Sequence, residues 1–591
     1  MEERPWHRFY RPDIPRDFTA PPATLPAFLE ASAARYPRRP AVVLATPVFD
    51  AVLSYAALAR ESNRFAHALR GLGIGPGDRV AVALPNLPQY AVAAYGVFKA
   101  GAVLVQVNPL YRGDELAFLL RDSGARVLVT LGRLYREVEP LRGRTSLDHV
   151  VLTQVSDYFP PLWRLVYALR EARRQGDVIP RAAGVLPWRR LLASSPPWPL
   201  ETPAAPGDVA VLQYTGGTTG RPRGAMLSHR ALAANALQAI TWFPGLREGQ
   251  ECILCVAPLF HAYGLLVLNG GLRLGATLLM VLMKMFDARL VARQVPRWKP
   301  TIFPGVPAMY LALTRLKDVS RYDLQSIRLC LSGAAPLPPD VAEAFERLTG
   351  ARVVEAYGLT EAGPLVTANP IWEGGERRPG SIGIPLSGTD ARIVDLETGS
   401  RVLPPEEVGE LVVRGPQIME GYWNAPDETR AVLRDGWLFT GDVAKMDPDG
   451  FFYIVDRKKD LIKVGGLNVY PREVEDVLMQ HPLVKDAAVV GVTHPVRGET
   501  IVAHVTLRPP GGDPATVRTQ LREFLRARLP SYMIPRRIEV VDTIPTTLIG
   551  KPLRRLVRET ARTQLASADD PDLGHGSLAP VREGGPEEPS H

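Results

Sequence analysis

The stretch QYTGGTTGRPRGAMLSH, residues 213–229, decides how this chain is read. The preceding DVAVLQY (208–214) reads as a strand and the following SHRALAANALQA (228–239) as a helix, with GGTTGRPRG (216–224) the loop between them. The loop is too polar for a core and too regular for a linker. Its composition presents successive backbone N–H groups and threonine hydroxyls to an anion, and its glycines let the backbone approach closely. It is not the common P-loop, because G-x-x-x-x-G-K-[ST] fits it in no register. On residues alone the alternative is a flexible Gly/Thr hairpin.

Working outward, 591 residues exceed what one hydrophobic core organises, so two or more domains are expected. Hydrophobic residues at 46% and charged residues at 22% exclude collagenous, mucin-like and wholly disordered classes. Only three cysteines, Cys252, Cys255 and Cys330, are present, which favours a reducing cytoplasm. Cys252 and Cys255 form a C-x-x-C, but ECILCVAP reads as a buried strand rather than a zinc or redox site. The start, MEERPWHRFYRPDIP, has no apolar run after its charges, so secretion is not indicated. GLLVLNGGLRLGATLLMVLM (264–283) is broken by Asn269, Arg273 and glycines, and reads as helix, turn and strand rather than a membrane span. A net charge of +8 fits nucleic acid, an anionic membrane, a polyanionic small ligand or a plain solvated surface. The arginines are scattered, without the aromatic-basic patch that argues for nucleic acid, so no nucleic-acid partner is expected.

Helix and strand signals alternate along most of the chain. SYAALARESNRFAHAL places Leu58, Phe65 and Leu69 on one helical face, GLGIGPGD makes a turn, and RVAVAL is a buried strand. That glycine run precedes its strand, whereas a dinucleotide fingerprint follows one. The expected fold class is α/β: a large multi-lobed N-terminal α/β domain over 1–455, then a small mobile α+β C-terminal domain over 456–565. In the second, YPREVEDVLMQ opens a helix with Pro471 in its first turn, and DAAVVGV, TIVAHVTL and RRIEVV are strands around the helix VRTQLREFLRARL. The Pro/Gly-rich tail, 566–591, reads as disordered.

Residues 214–224 resemble the phosphate-binding signature of the adenylate-forming (AMP-binding) superfamily of acyl-CoA synthetases, luciferases and peptide-synthetase adenylation domains. AYGLTE (356–361), TGD (440–442), DRKKDLIKVGG (456–466) and GKPLRR (550–555) follow in that family's order and approximate spacing. The resemblance spans about residues 25–560, and five ordered motifs make it specific. It implies two half-reactions: a carboxylate attacks the α-phosphate of ATP to give an acyl-adenylate and pyrophosphate, then a thiol, that of coenzyme A, displaces AMP. Such chemistry is positioning plus charge neutralisation, so a phosphate loop, a cation-binding carboxylate and a lysine are the expected parts.

By that resemblance, Thr215, Gly216, Gly217, Thr218, Thr219 and Gly220 wrap the β- and γ-phosphates, and Glu361 with Thr215 holds Mg²⁺. Asp442 accepts from the ribose hydroxyls, with Arg457 donating to the same sugar. Gly333, Glu355, Ala356, Tyr357, Thr360 and Lys463 complete the ATP/AMP site. Lys551 is the cation that reaches the α-phosphate region, and Lys459 is the hinge about which the small domain turns between half-reactions. Gly465 and Gly466 line the pantetheine channel. Two departures stand out. Gly216 replaces the family's common serine or threonine, as in the long-chain fatty-acid branch of bacterial ligases, and Arg223 replaces its usual lysine, keeping charge but not shape.

PLFHAYG (258–264), FPGVPAMY (303–310) and LSGAAPL (331–337) match segments lining the acyl pocket and adenine site, which puts His261, Gly305, Gly333 and Ala334 at the acyl pocket. They offer no ammonium-binding aspartate, which disfavours an α-amino acid. His261 is either a gate at the acyl entrance or a core histidine. In DYFPPLWRLVYALREARRQ, Leu162, Leu165, Val166 and Leu169 form one face and arginines the other; such a helix packs on the protein or lies on an anionic membrane. The resulting expectation is a cytoplasmic long-chain fatty-acid:CoA ligase using ATP, Mg²⁺ and CoA. Peripheral contact with the inner face of the membrane and a homodimer remain open. A carrier-protein-loading acyl-AMP ligase, an aryl or medium-chain acid ligase and a non-catalytic acyl-binding protein are the rivals.

Overall fold

Gln213 and Tyr214 lie on the strand Val209–Thr215, inside an eight-stranded sheet of a computed structural model that describes residues 4–172, 174–201, 204–215, 222–283, 285–464, 467–494, 498–546 and 552–567. The chain divides into two compact units, Met1–Lys459 and Asp460–His591.

Among the described residues, the first unit builds three sheets. The eight-stranded sheet has Val103–Gln106, Arg79–Ala83, Val127–Leu131 and His149–Thr153 parallel beside Val209–Thr215, with an antiparallel edge made by Arg223–Ser228 and Gly421–Tyr422. A nine-stranded sheet centres on the parallel run Thr277–Val281, Cys252–Leu254, Ile302–Gly305, Leu329–Ser332 and Arg352–Gly358. These strands are near-continuous runs of Val, Ile and Leu because helices cover both faces of a parallel sheet. The helix Tyr55–Gly71 is one such cover: Ser54 caps it by accepting from the Ala57 N–H at 3.2 Å, and Leu58, Phe65 and Leu69 are fully buried. Each contributes roughly 1.5–3 kcal/mol of burial.

The expected alternation of helix and strand up to residue 455 stops short. From Asp390 to Arg457 the chain forms a five-stranded antiparallel sheet of Asp390–Val394, Gly409–Arg414, Trp437–Met446, Leu433–Arg434 and Phe452–Arg457, with the seven-residue helix Pro426–Val432 inserted. The links between these strands are turns, irregular chain and that one short helix rather than a helix carrying the chain back along a sheet face, and without such a crossover neighbouring strands run antiparallel.

The second unit is α+β. Val484–His494 and Gly498–Leu507 pair antiparallel, Arg537–Val540 adds parallel to the second, and the helices Pro471–Met479 and Pro514–Arg526 contribute buried Val474, Leu478, Val517, Leu521 and Leu525 to its core. The helix Arg554–Ser567 enters the stretch read as tail, and 568–591 lie outside the described residues.

Cys252, Cys255 and Cys330 are buried free thiols, and burial pushes Cys252 and Cys255 up to about 12, which leaves them protonated and inert. Residues 264–283 fall into the helix Ala262–Arg273, a turn and the strand Thr277–Val281. Among the described residues no helix is long and apolar enough to cross a membrane.

His229 is 1% exposed, accepts from the Leu25 N–H at 3.4 Å and packs edge-on to Phe98. Burial lowers its pKa from 6.5 to about 4. The folded state therefore holds the neutral ring, and its stability is complete above the unfolded pKa and lost as pH falls from 6.5 toward 4. Between pH 7 and pH 5 the unfolding free energy should drop by about 2 kcal/mol from this group. Urea titrations of wild type and His229→Gln check this: the variant should lack that part of the pH slope.

Candidate active site

Thr215 ends its strand directly opposite Arg223, and Tyr214 stands opposite Gly224, so residues 216–222 join the two strands of an antiparallel hairpin. Gly216, Gly217, Thr218, Thr219 and Gly220 themselves lie outside the described residues. Where the sequence predicts a loop leading into a helix, the six-residue strand Arg223–Ser228 intervenes, and Ser228 then caps the helix His229–Trp242 by accepting from Ala231 N–H at 3.2 Å. Arg-Gly-Ala-Met-Leu-Ser is too short and mixed to announce a strand, which forms because partners lie on both sides. The root of the loop is fixed by Tyr214, whose hydroxyl donates to Asp122 Oδ2 at 2.5 Å, while Trp423 Nε1 donates to the Asp122 carbonyl at 3.0 Å.

Glu361 sits in the single 3₁₀ turn Thr360–Ala362, whose backbone is tied down by a 2.8 Å bond from Met419 N–H to the Glu361 carbonyl. Its carboxylate Oε1 accepts from the Tyr422 hydroxyl at 2.8 Å. Tyr422 is registered against Ala225 in the edge strand, and the Arg223 guanidinium lies 5.6 Å from its ring centroid. Burial and the neighbouring Glu361 raise the Tyr422 pKa, with Arg223 opposing them, so the phenol stays a hydrogen-bond donor. Thr215, Arg223, Tyr422 and Glu361 thus form one connected chain of contacts. Tyr422 and the stacking role of Arg223 were not legible in the sequence: Gly421–Tyr422 is a two-residue strand with no periodicity. Tyr422→Phe should keep the packing and remove one charge-assisted bond. With Glu361 as the expected Mg²⁺ ligand, the expected result is a rise of about tenfold or more in the Mg²⁺ concentration needed for half-maximal turnover, at the roughly 1.5–3 kcal/mol that a bond to a charged group contributes. A Mg²⁺ titration checks it.

The carboxyl ends of three parallel strands bring the next group together, since Gly305, Ser332 and Glu355 are in mutual register at the ends of Ile302–Gly305, Leu329–Ser332 and within Arg352–Gly358. Ligands in open α/β sheets bind at such ends. A Cβ on Gly305 would stand 2.9 Å from the Tyr310 ring, so this glycine is demanded by internal packing. At Gly333 the nearest atoms to an added Cβ are 3.8–3.9 Å away, on Tyr263 and the Ala356 carbonyl, so its missing side chain opens space instead. Ala334 follows at φ +69°, a left-handed conformation that a non-glycine residue holds only under tertiary constraint. Glu355 and Tyr357 are half-buried, Ala356 is buried, and Thr360 opens the turn that carries Glu361. His261 is exposed at the start of the helix Ala262–Arg273, where its Nδ1 accepts from Tyr263 N–H at 3.4 Å. The core-histidine alternative therefore falls.

Asp442 is 3% exposed and opposite Arg457 in the antiparallel pair Trp437–Met446 and Phe452–Arg457. Its Oδ1 accepts from Arg457 Nε at 2.9 Å and its Oδ2 from the Tyr357 hydroxyl at 2.6 Å. Burial and Asp442 together hold Tyr357 protonated. A carboxylate offers about four lone-pair sites, so two bonds leave capacity for two more donors. One residue on, Lys458 Nζ bonds Glu410 Oε2 at 2.7 Å and Lys458 N–H bonds the Gly441 carbonyl at 2.9 Å. In the second unit Asp460 is held by Arg554 at 3.4 Å. Lys459 lies between these anchored residues, at the division of the chain. Lys463 is exposed in the second unit, its N–H donating to Glu499 at 2.8 Å. Gly465, Gly466 and Lys551 lie outside the described residues.

The AMP-binding enzyme family model matches residues 29–423, and the AMP-binding enzyme C-terminal domain matches 473–551. The chain belongs to the AMP-binding enzyme family. Among the relatives of this AMP-binding enzyme is a long-chain-fatty-acid–CoA ligase of Bacillus subtilis (strain 168), 41% identical over 562 residues, 95% of this chain and 98% of the relative. A long-chain-fatty-acid–CoA ligase of Escherichia coli is 38% identical over 94% of this chain and 98% of its own length. Among solved structures, an anthranilate CoA ligase in complex with anthranoyl-AMP superposes with a TM-score of 0.78 at 28% identity, covering 92% of this chain and 98% of that one.

Proposed function

We propose that this AMP-binding enzyme activates a long-chain fatty acid with ATP through an acyl-adenylate and transfers the acyl group to coenzyme A. The observation that carries the reading is end-to-end similarity, at 41% identity, to a ligase named for that substrate and acceptor. In the first half-reaction a carboxylate oxygen bonds to the α-phosphorus of ATP and the bond to pyrophosphate breaks. In the second, the CoA thiol sulfur attacks the acyl carbon, AMP leaves with the bonding pair, and the thiol proton passes to solvent.

The chain's own residues divide the work as follows. The loop 215–220 and Arg223 bind the β- and γ-phosphates. Asp442, pre-oriented by Tyr357 and Arg457, accepts from the ribose hydroxyls. The open space at Gly333 and the backbone of residues 355–357 receive the base, while Gly305, Ala334 and His261 border the acyl group. The first unit binds ATP and acid and the second acts as a lid, carrying Lys463, Gly465, Gly466 and Lys551 and turning at Lys459. Glu361 and Thr215 supply only hard oxygens, and Mg²⁺ takes few protein carboxylates together with substrate phosphates. That donor set fits the ion, and among the described residues no group of three or more His, Cys, Asp or Glu is placed to cage a metal unaided. Bound there, Mg²⁺ would neutralise phosphate charge.

The test is AMP and thioester formation by the purified protein with ATP, Mg²⁺, CoA and acids from acetate to oleate, with benzoate and anthranilate included. Long-chain acyl-CoA matched by AMP supports the reading. Preference for the aromatic acids would move it toward the solved anthranilate ligase, and AMP without thioester toward a carrier-protein acceptor. Sedimentation of the same protein tests the homodimer, and cell fractionation the cytoplasmic location.

A further inference from the structure

The helix Pro161–Arg170 turns the wrong way for a purely structural element. Its inward contacts are aromatic: Trp163 stacks on Phe49 with centroids 5.2 Å apart and planes 17° from parallel, and Tyr167 meets Phe159 edge-on at 5.8 Å. The Tyr167 hydroxyl also donates to Asp177 Oδ2 at 3.1 Å. With that face anchored, the leucines point outward: Leu162 is 66% exposed, Leu165 57% and Leu169 76%. Val48, next to the stacked Phe49, is 65% exposed. Single exposed apolar side chains are ordinary, but a row of leucines at i, i+3 and i+7 on a rigidly seated helix is not.

The charge around this row has one dominant sign. Residues 160–176 carry four arginines against one glutamate. Arg170 and Arg174 are exposed and Arg164 half-buried, while the one glutamate, Glu171, lies 3.9 Å from Arg174. Asp177 is fully buried and occupied by Tyr167 and the Val155 N–H, with Arg133 facing it, and Asp157 bonds Thr153 and Gln154. A second copy of the chain docking through the same patch about a two-fold axis would set these arginines against themselves.

We propose that the exposed leucine row of this helix, with its flanking arginines, is a docking surface for an anionic lipid bilayer, lying in the interface rather than crossing it. At ten residues the helix is about half the length of a span, and an apolar face with basic flanks is the composition that seats helices at headgroup depth. Each arginine adds attraction to an anionic leaflet that salt screens. The surface stands on these residues alone and goes beyond the reaction proposed above; its consequence for that reaction is delivery of a membrane-partitioned acid to the same molecule.

The experiment is flotation of the full chain with phosphatidylcholine vesicles, with and without phosphatidylglycerol, over a salt series. Wild type should float with the anionic vesicles and dissociate as salt rises. A Leu162→Ser, Leu165→Ser, Leu169→Ser variant should lose about tenfold or more in apparent partition, and Arg170→Glu with Arg174→Glu should lose the preference for anionic lipid. Both variants should keep wild-type AMP formation on a water-soluble medium-chain acid and wild-type thermal melting. Absence of vesicle binding by wild type, or binding unchanged in either variant, overturns the proposal. So does a leucine variant that alters sedimentation of a dimer without altering flotation. Failure of every acid to give AMP would instead remove the proposed reaction and leave the flotation result standing.

Discussion

Asp442→Ala should raise the KM for ATP by roughly 10²-fold or more. The aspartate is 3% exposed and already accepts from Tyr357 at 2.6 Å and Arg457 at 2.9 Å, so it is oriented before nucleotide arrives. In its proposed role Asp442 accepts two charge-assisted bonds from ribose hydroxyls, at about 1.5–3 kcal/mol each, and alanine removes both. The same change leaves the Tyr357 hydroxyl and the half-exposed Arg457 without their shared acceptor, so some loss of stability accompanies it. Isothermal titration with AMP, read beside the thermal midpoint, separates the two effects. Asp442→Asn keeps one acceptor and should fall between wild type and alanine in AMP affinity. Equal AMP affinity in wild type and alanine variant would remove Asp442 from the nucleotide site.

Lys551→Ala should slow acyl-adenylate formation by about 10²–10³-fold, the cost of losing one preorganised electrostatic donor, about 2.7–4 kcal/mol. The residue lies outside the described residues, but its flanks are placed: Thr546 and Pro552 pair as an antiparallel bridge, and Arg554 is fixed to Glu475 at 2.6 Å and to Asp460 at 3.4 Å. For the proposed lid, the effect should be confined to the first half-reaction. Thioester formation from chemically prepared acyl-adenylate and CoA should then be within about threefold of wild type, a difference under 1 kcal/mol. Single-turnover assays of the two steps decide it, and an equal loss in both would contradict a lysine that serves adenylation only.

The order of motifs was readable because each carries its chemistry in contiguous residues. Glycines and threonines of 215–220, the glutamate of AYGLTE and the aspartate of TGD need no partner to be recognised. The α/β character was readable for a similar reason, since buried parallel strands are local apolar runs. The strand Arg223–Ser228 was not, because it exists through pairing with residues on both sides, one of them almost two hundred positions away at Gly421–Tyr422. Tyr422 shows the same limit: nothing beside it in sequence marks a residue that donates to Glu361 and receives Arg223 on its ring.

The face of the helix Pro161–Arg170 divides the two kinds of information most clearly. The spacing of Leu162, Leu165, Val166 and Leu169 determined that an apolar stripe exists, because 3.6 residues per turn fixes which side chains share a side. It did not determine which way the stripe faces. Trp163 and Tyr167, with more area to bury and a phenol to satisfy, take the inward side against Phe49, Phe159 and Asp177 and turn the leucines to solvent. Sequence sets chemistry and periodicity along the chain; which surface wins burial, and which distant side chain completes a site, is settled only when the elements compete for one core.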